Sequence, residues 1–338
     1  MTVDLSPYLA SVPDVVVERI RGAKRVLAVS HENPDADTVG ATLGVVRLVE
    51  RFGGRADPVC TDPVPALYDF IDGVERFRTD PEPEADYDLL VLSDCATPER
   101  VGDVGQRHRD LFDRLPRVVI DHHASNEALA EADWIEPDAA ATCEMVALLA
   151  VCLGVPLSSD RALATALMAG IVMDTATFAH PNATPRTLAV SAALVEAGAP
   201  LSDISRRLYR SKPEKQLRLF GRVLDRLTSF DEGRVVVSTL LDADLTATGT
   251  QPPHSEGIID LLAQAEDAEV AILFKEAGDT TRISVRTKPG GVDATVLTGL
   301  FGGGGHARAA GATVPLPVDQ ARDAVLVEAR KAAAAVTR

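Results

Sequence analysis

The sequence predicts an α/β protein: an N-terminal domain on an open, mainly parallel sheet, a helical connection, and a smaller C-terminal α/β domain. Three observations predict it. Short runs rich in Val, Ile and Leu recur through the first half with helical patterns between them, as parallel strands covered on both faces require. A mostly helical stretch follows over 141–228. Strand-like runs then return from residue 231. The expected division is a first domain over 1–187, a connection over 188–228 and a second domain over 229–338.

Each element has its own signal. RVLAVS (25–30), DLLVLSD (88–94) and RVVID (117–121) are the strand runs of the first domain. TVGATLGVVRLVERFGG (38–54) has helical spacing and ends in glycines. ATCEMVALLAVCLG (141–154), SDRALATALMAGIVMDT (159–175), TPRTLAVSAALVEAGA (184–199) and PEKQLRLFGRVLDRL (213–227) combine apolar periodicity with polar or proline starts. In the second domain DEGRVVVSTL (231–240), AEVAILFKE (268–276) and TRISVRT (281–287) read as strands. GIIDLLAQ (257–264) and the Ala-rich tail from 318 to 336 read as helices.

Composition narrows the function. A chain of 338 residues, 46% of them hydrophobic, can bury two cores. Its net charge of −16 disfavours a large surface for duplex DNA, though not a short anionic substrate. No run approaches the roughly 18 apolar residues of a membrane span. The N-terminal stretch has acids and no basic region, so no signal peptide is expected. Cys60, Cys95, Cys143 and Cys152 form no CxxC pair. Reduced, packed thiols in a cytoplasmic protein are expected.

The polar clusters fall at the carboxyl ends of the predicted strands, where open α/β sheets gather ligands. HENPDAD follows the first strand and supplies His31, Asp35 and Asp37. Asp94 closes the second, Asp121, His122 and His123 close the third, and Asp174 ends an apolar helix. One aspartate at a strand end is more often a cap than a ligand. Four such segments in one domain point instead to a metal centre. Carboxylates with some imidazole suit Mn²⁺ or Mg²⁺. Two ions about 3.5–4 Å apart need a carboxylate able to bridge them.

HENPDADTVG, LSDC, IDHHAS and GIVMDTATF, in this order, resemble the four motifs of the DHH phosphoesterase family. FGGGGHARAAG (301–311) resembles the glycine-rich signature of the DHH-associated domain. Size and layout resemble the group that hydrolyses oligoribonucleotides and phosphoadenosine phosphate, with relatives acting on cyclic dinucleotides. The resemblance implies two Mn²⁺, with Mg²⁺ or Co²⁺ as alternatives. His31 and Asp35 would hold one ion, and Asp37 and His122 the other. Asp94 would bridge, Asp174 would complete the site, and Asp121 would orient the neighbouring imidazole. His123 would face the substrate phosphate. A homodimer and short nucleotide substrates are implied, with no duplex DNA and no membrane. One departure is Ala41, where the family often has Ser; it falls on the helix and should matter little to metal binding.

In the second domain Gly303, Gly304 and Gly305 would let backbone approach an anion, with His306 and Arg308 beside it. A helix starting after the glycines would add a favourable dipole. The resemblance places His306 near the substrate phosphate, and Arg286 on its strand is a second candidate for phosphate, set against a plain solvated strand residue. The basic stretch 205–218 is as consistent with a solvated helix face as with a guide for phosphates. Aromatics make up only 4% of the chain, which disfavours a long stacking platform and favours short substrates. Three other readings share parts of the pattern. A family II inorganic pyrophosphatase lacks the GGGGH run, a RecJ-type exonuclease is much longer, and a non-catalytic nucleotide sensor would have lost ligands.

Overall fold

The computed structural model describes residues 3–95, 98–126 and 132–336. The chain forms two compact units, Met1–Ser211 and Lys212–Arg338. In the first, the elements run α1 (Asp14–Gly22), β1 (Arg25–Ser30), α2 (Ala36–Arg51), β2 (Arg55–Val59), β3 (Leu89–Ser93), α3 (Asp103–Arg107), α4 (Arg109–Arg114), β4 (Arg117–Asp121), β5 (Asp133–Ile135), α5 (Thr142–Cys152), α6 (Arg161–Asp174), α7 (Pro185–Glu196) and α8 (Leu201–Tyr209). The five strands form a parallel sheet in the order β2-β1-β3-β4-β5. The chain steps to one side of β1 for β2 and to the other for β3. The reversal opens a crevice at the carboxyl ends of β1 and β3.

Alternation along the strands fills two cores. Val26, Ala28, Val91 and Ile120 pack with α1, α2, α5 and α6, while Leu27, Val29, Leu90 and Leu92 pack with Val104 of α3 and residues around α4. β1 and β4 match the sequence expectation, and β3 is shorter at both ends. β2 was not anticipated. Its sequence, RADPV, carries a proline that cannot donate to a ladder, and the strand lies at the sheet edge, where that is tolerated.

The connection expected over 188–228 is divided between the units. Val190, Leu194, Ile204 and Leu208 of α7 and α8 join the core of the first. Leu219, Phe220 and Val223 of α9 (Glu214–Leu224) join a core of the second. Both helix sets have apolar faces: α7 packs on α5 and α6, α8 packs on α6, and α9 packs on β7.

The second unit continues with β6 (Thr228–Phe230), β7 (Val235–Leu240), α10 (Asp242–Thr248), α11 (Ile258–Leu262), β8 (Val270–Ala277), β9 (Thr280–Thr287), α12 (Ala294–Gly299), β10 (Gly304–His306), β11 (Ala309–Val314) and α13 (Val318–Ala335). Its sheet is mixed, in the order β10-β11-β9-β8-β7-β6, with β7 and β8 parallel. One face packs on α12 and α13, and the β7–β8 half of the other packs on α9 and α11.

Buried Asp244 of α10 ties this unit together, accepting from Arg222 at 2.8 Å and from Arg226 at 2.6 and 2.7 Å. Burial alone would raise its pKa, but the two guanidiniums hold it at about 2, below the ordinary 3.8. A lowered native pKa means stability present above the unfolded value and lost as pH falls through the native one. Asp244→Asn should cost about 2 kcal/mol at neutral pH, and the gap should shrink to about half near pH 3. Urea unfolding of the full chain at both pH values checks this. A gap independent of pH would show that packing and not charge is at stake.

Candidate metal centre

The expected ligands converge at the carboxyl ends of β1, β3 and β4. His31 and Asp94 directly follow β1 and β3, and Asp121 ends β4. Three sets of ligand atoms each lie within 4.8 Å of one another among the described residues: His31, Asp35 and Asp94; Asp37, His122 and Asp174; Asp94, His122 and His123.

The HENPDAD segment folds tightly because it starts a helix. Asp35 is the N-cap of α2, accepting from the backbone of Asp37 at 2.9 Å and Thr38 at 3.1 Å. This turns Asp37 inward to full burial, where its carboxylate accepts from the backbone N–H groups of Thr142 at 2.7 Å and Cys143 at 2.9 Å. A carboxylate thus sits on the first turn of α5, where the helix dipole favours it. Two glycines make room. A Cβ on Gly170 would collide with Asp37 Oδ1 and Cys143 Sγ, and one on Gly40 with the carbonyl of Ala166. Ala41 is buried in α2.

Asp94 stands between the sets. Its Oδ2 lies 3.5 Å from His31 Nε2, and its Oδ1 lies 3.6 Å from His122 Nε2. The Thr142 hydroxyl donates to Oδ1 at 3.0 Å. Its φ of 62° is a strained value for a non-glycine residue, held by its own N–H to Ile120. Asp174 ends α6 with Oδ2 3.1 Å from His122 Nε2. The chain then turns through three successive left-handed residues, Ala176, Thr177 and Phe178.

The imidazoles are oriented by their second nitrogens. His31 Nδ1 donates to the Glu32 carbonyl at 2.7 Å, and His122 Nδ1 to that of Ala139 at 3.2 Å. Each ring therefore turns its Nε2 toward carboxylates. His123 is held differently. Its Nδ1 donates to Asp121 at 2.8 Å, and Asp121 also accepts from Asn126 at 2.7 Å. The imidazole that Asp121 orients is thus that of His123, which leaves the Nε2 of a half-exposed ring free of that bond.

Charge is crowded here. Burial first, then Asp37, Asp35 and Asp174, push the Asp94 carboxyl well above its ordinary value. Asp174 is raised to about 7 by burial and by Asp37. Burial disfavours a charged His122, yet Asp174, Asp37 and Asp94 outweigh it and raise the ring to about 10. Imidazole nitrogens and carboxylates facing one another at these distances are complementary to a cation, which would take the place of the His122 proton. The donor set could hold divalent ions of the oxygen- and imidazole-loving kind.

The cysteines supply no thiolate. All four are free, and burial raises Cys60 to about 11 and Cys95 and Cys143 well above their ordinary value. Sequence reasoning did not find Thr142, Asn126 or Glu144. Buried Glu144 is bound by Arg186 at 2.5 Å, and Arg186 also pairs with Glu136. That brace stiffens the segment carrying Ala139 and Thr142.

In the second unit no helix follows the glycine run. Gly304–His306 is the strand β10, paired with β11. A Cβ on Gly303 or Gly305 would collide with the β11 backbone, so hairpin closure itself demands those glycines. His306, Ala309 and Arg286 lie in one cross-strand row and so share a face. Arg286 donates to Asp260 at 2.9 Å. Arg308 is turned to structure, donating to the carbonyls of Lys288 at 2.7 Å and Val292 at 3.0 Å.

Comparison with known proteins accords with this architecture. The model of the DHH family, N-terminal domain, matches residues 25–171, and that of the DHHA1 domain matches 232–335. The bifunctional oligoribonuclease and PAP phosphatase NrnA of Thermus thermophilus is 32% identical, over 89% of this chain and 88% of its own. The protein of the same name from Bacillus subtilis is 25% identical over 84% and 87%. The crystal structure of an exopolyphosphatase-related protein from Bacteroides fragilis superposes with a TM-score of 0.85 at 20% identity, covering 95% of this chain and 96% of that one. Both domains in order, and a relative aligned along nearly the whole length, make the chain a member of the DHH family of phosphoesterases.

Proposed function

We propose that the protein hydrolyses short nucleotides, such as linear dinucleotides, nano-RNA, cyclic dinucleotides and 3′-phosphoadenosine 5′-phosphate, at a centre of two divalent cations, Mn²⁺ foremost. The observation that carries this reading is the placement of Asp94, whose two carboxylate oxygens face different imidazoles. His31 and Asp35 would hold one ion and Asp37, His122 and Asp174 the other, with Asp94 shared. Two such ions lower the pKa of a shared water and neutralise charge developing on phosphoryl oxygens. The relatives named as oligoribonucleases and PAP phosphatases support the substrate class.

The remaining residues position the substrate. His123, fixed through Nδ1 by Asp121, offers Nε2 to a phosphoryl oxygen. Asn126 keeps Asp121 in place by bonding both it and the Cys95 carbonyl. His306 and Arg286 offer phosphate donors across the small side chain of Ala309. Arg308 contributes by holding the loop from 288 to 292 that it bonds.

A panel of pApA, nano-RNA, cyclic di-AMP, phosphoadenosine phosphate and pyrophosphate, assayed with Mn²⁺, tests this. Hydrolysis of pyrophosphate alone would favour a family II-type pyrophosphatase. Binding without turnover would favour a sensor. Asp94→Asn should lower turnover on the order of 10³-fold while circular dichroism stays unchanged, because a neutral amide cannot serve two cations as a carboxylate can. Activity near that of the parent would rule out the bridging role.

His306→Ala should leave bound metal unchanged and cut dinucleotide hydrolysis by roughly 100-fold, since positioning supplies much of an enzymatic rate. Bis-p-nitrophenyl phosphate, with its good leaving group and no second nucleotide, should lose less. Equal losses on both substrates, or a fall in metal content, would overturn this division of labour.

A further inference from the structure

We infer that Arg100 is a catalytic residue that binds the phosphoryl group undergoing hydrolysis, an inference that rests on the phosphoesterase reading above. Its guanidinium Nη2 stands 3.5 Å from His31 Nδ1. The Nδ1 proton already goes to the Glu32 carbonyl, so the guanidinium donates nothing to that ring. Arg100 is exposed, and among the described residues it forms no ion pair with a carboxylate. Among the described residues no other arginine or lysine forms a hydrogen bond or ion pair with His31, Asp35, Asp37, Asp94, His122 or Asp174. A positive charge beside the metal-ligand candidate His31, with no carboxylate partner among the described residues, is suited to an anion that approaches this ring.

The segment bearing Arg100 is anchored. Its carbonyl accepts from the Glu32 backbone at 2.7 Å, directly beside His31. Val101 and Val104 are buried on either side of Gly102, whose φ of 71° favours glycine. A Cβ on Gly102 would collide with Thr61 and crowd Glu32. Val104 N–H donates to the Thr61 hydroxyl at 3.3 Å. The 3₁₀ turn Pro98–Val101 is thus locked onto the loop carrying His31, Asp35 and Asp37. A long side chain on a fixed base loses less freedom on binding than one on a mobile loop.

The test uses the full-length Mn²⁺-loaded protein with Arg100→Ala and Arg100→Lys. With pApA, kcat/KM should fall about 10- to 100-fold in Arg100→Ala, be partly kept in Arg100→Lys, and be partly restored to Arg100→Ala by added guanidinium. Bound Mn²⁺ should be unchanged. Calorimetric binding of AMP, which needs no turnover, should weaken by a similar factor. If the parent hydrolyses pApA and Arg100→Ala equals it in rate and AMP affinity, the inference fails and the proposed function stands. If the parent hydrolyses nothing yet AMP binding depends on Arg100, the hydrolytic reading fails and the catalytic role falls with it, leaving Arg100 a phosphate contact only. Loss of Mn²⁺, or no response to guanidinium, would make Arg100 structural and overturn the inference. A parent that neither hydrolyses pApA nor binds AMP would overturn both.

Discussion

The constraint on which the first unit depends is the crowding of Asp37, Asp94 and Asp174 around His122, with no lysine or arginine paired to these acids among the described residues. Asp37 shows how this is managed. Its two oxygens take the backbone N–H groups that open α5, so helix and carboxylate satisfy one another. The arrangement brings α2 and α5 together at their first turns and requires α6 to approach through Gly170 and Gly40. Thr142 then reaches Asp94 with its hydroxyl, linking the two acids through one residue. What remains unbalanced is the mutual repulsion of Asp37, Asp94 and Asp174, which backbone dipoles reduce and do not remove. An unpaired buried charge is costly, and a bound cation would relieve this repulsion.

The fold was legible where pattern and burial agree. β1, β4 and the helices α5, α6, α7, α9, α11 and α13 carry continuous or periodic apolar signals, and they lie within a few residues of their expected places, whereas α8, α10 and α12 have no such expectation. The edge strands were not legible. β2 holds a proline, β5 has three residues, and β10 is built from glycine and His306, so none has the composition of a strand. The glycine run was read as an anion loop before a helix. The structure spends two of its glycines on close contact with β11. That cost is invisible in sequence, because a tight backbone approach and a ligand contact select the same residue.

The metal centre was legible as a set of residues and much less as a set of contacts. Residue type and position at strand ends brought His31, Asp35, Asp37, Asp94, His122 and Asp174 forward, and the structure places them together. Their supports could not be read the same way. Thr142 and Asn126 are ordinary helix-start and loop residues in sequence, and their partners are distant along the chain. Arg308 shows the converse. An arginine after glycines invites a phosphate reading, yet this one bonds carbonyls of its own unit.

The span of the contacts around Asp37 bears on how the chain is made. The N–H groups that receive this carboxylate lie 105 and 106 residues further along. Asp174 is further still, at the end of α6. During synthesis, β1, β3 and β4 can leave the ribosome and begin to pair while their acids still face water, because the helices that bury them are not yet outside. Contacts of such sequence separation form late, after loop closure has been overcome. The set of Asp37, His122 and Asp174 can assemble only when residue 174 has emerged, so it marks the completion of this unit rather than a step on the way to it.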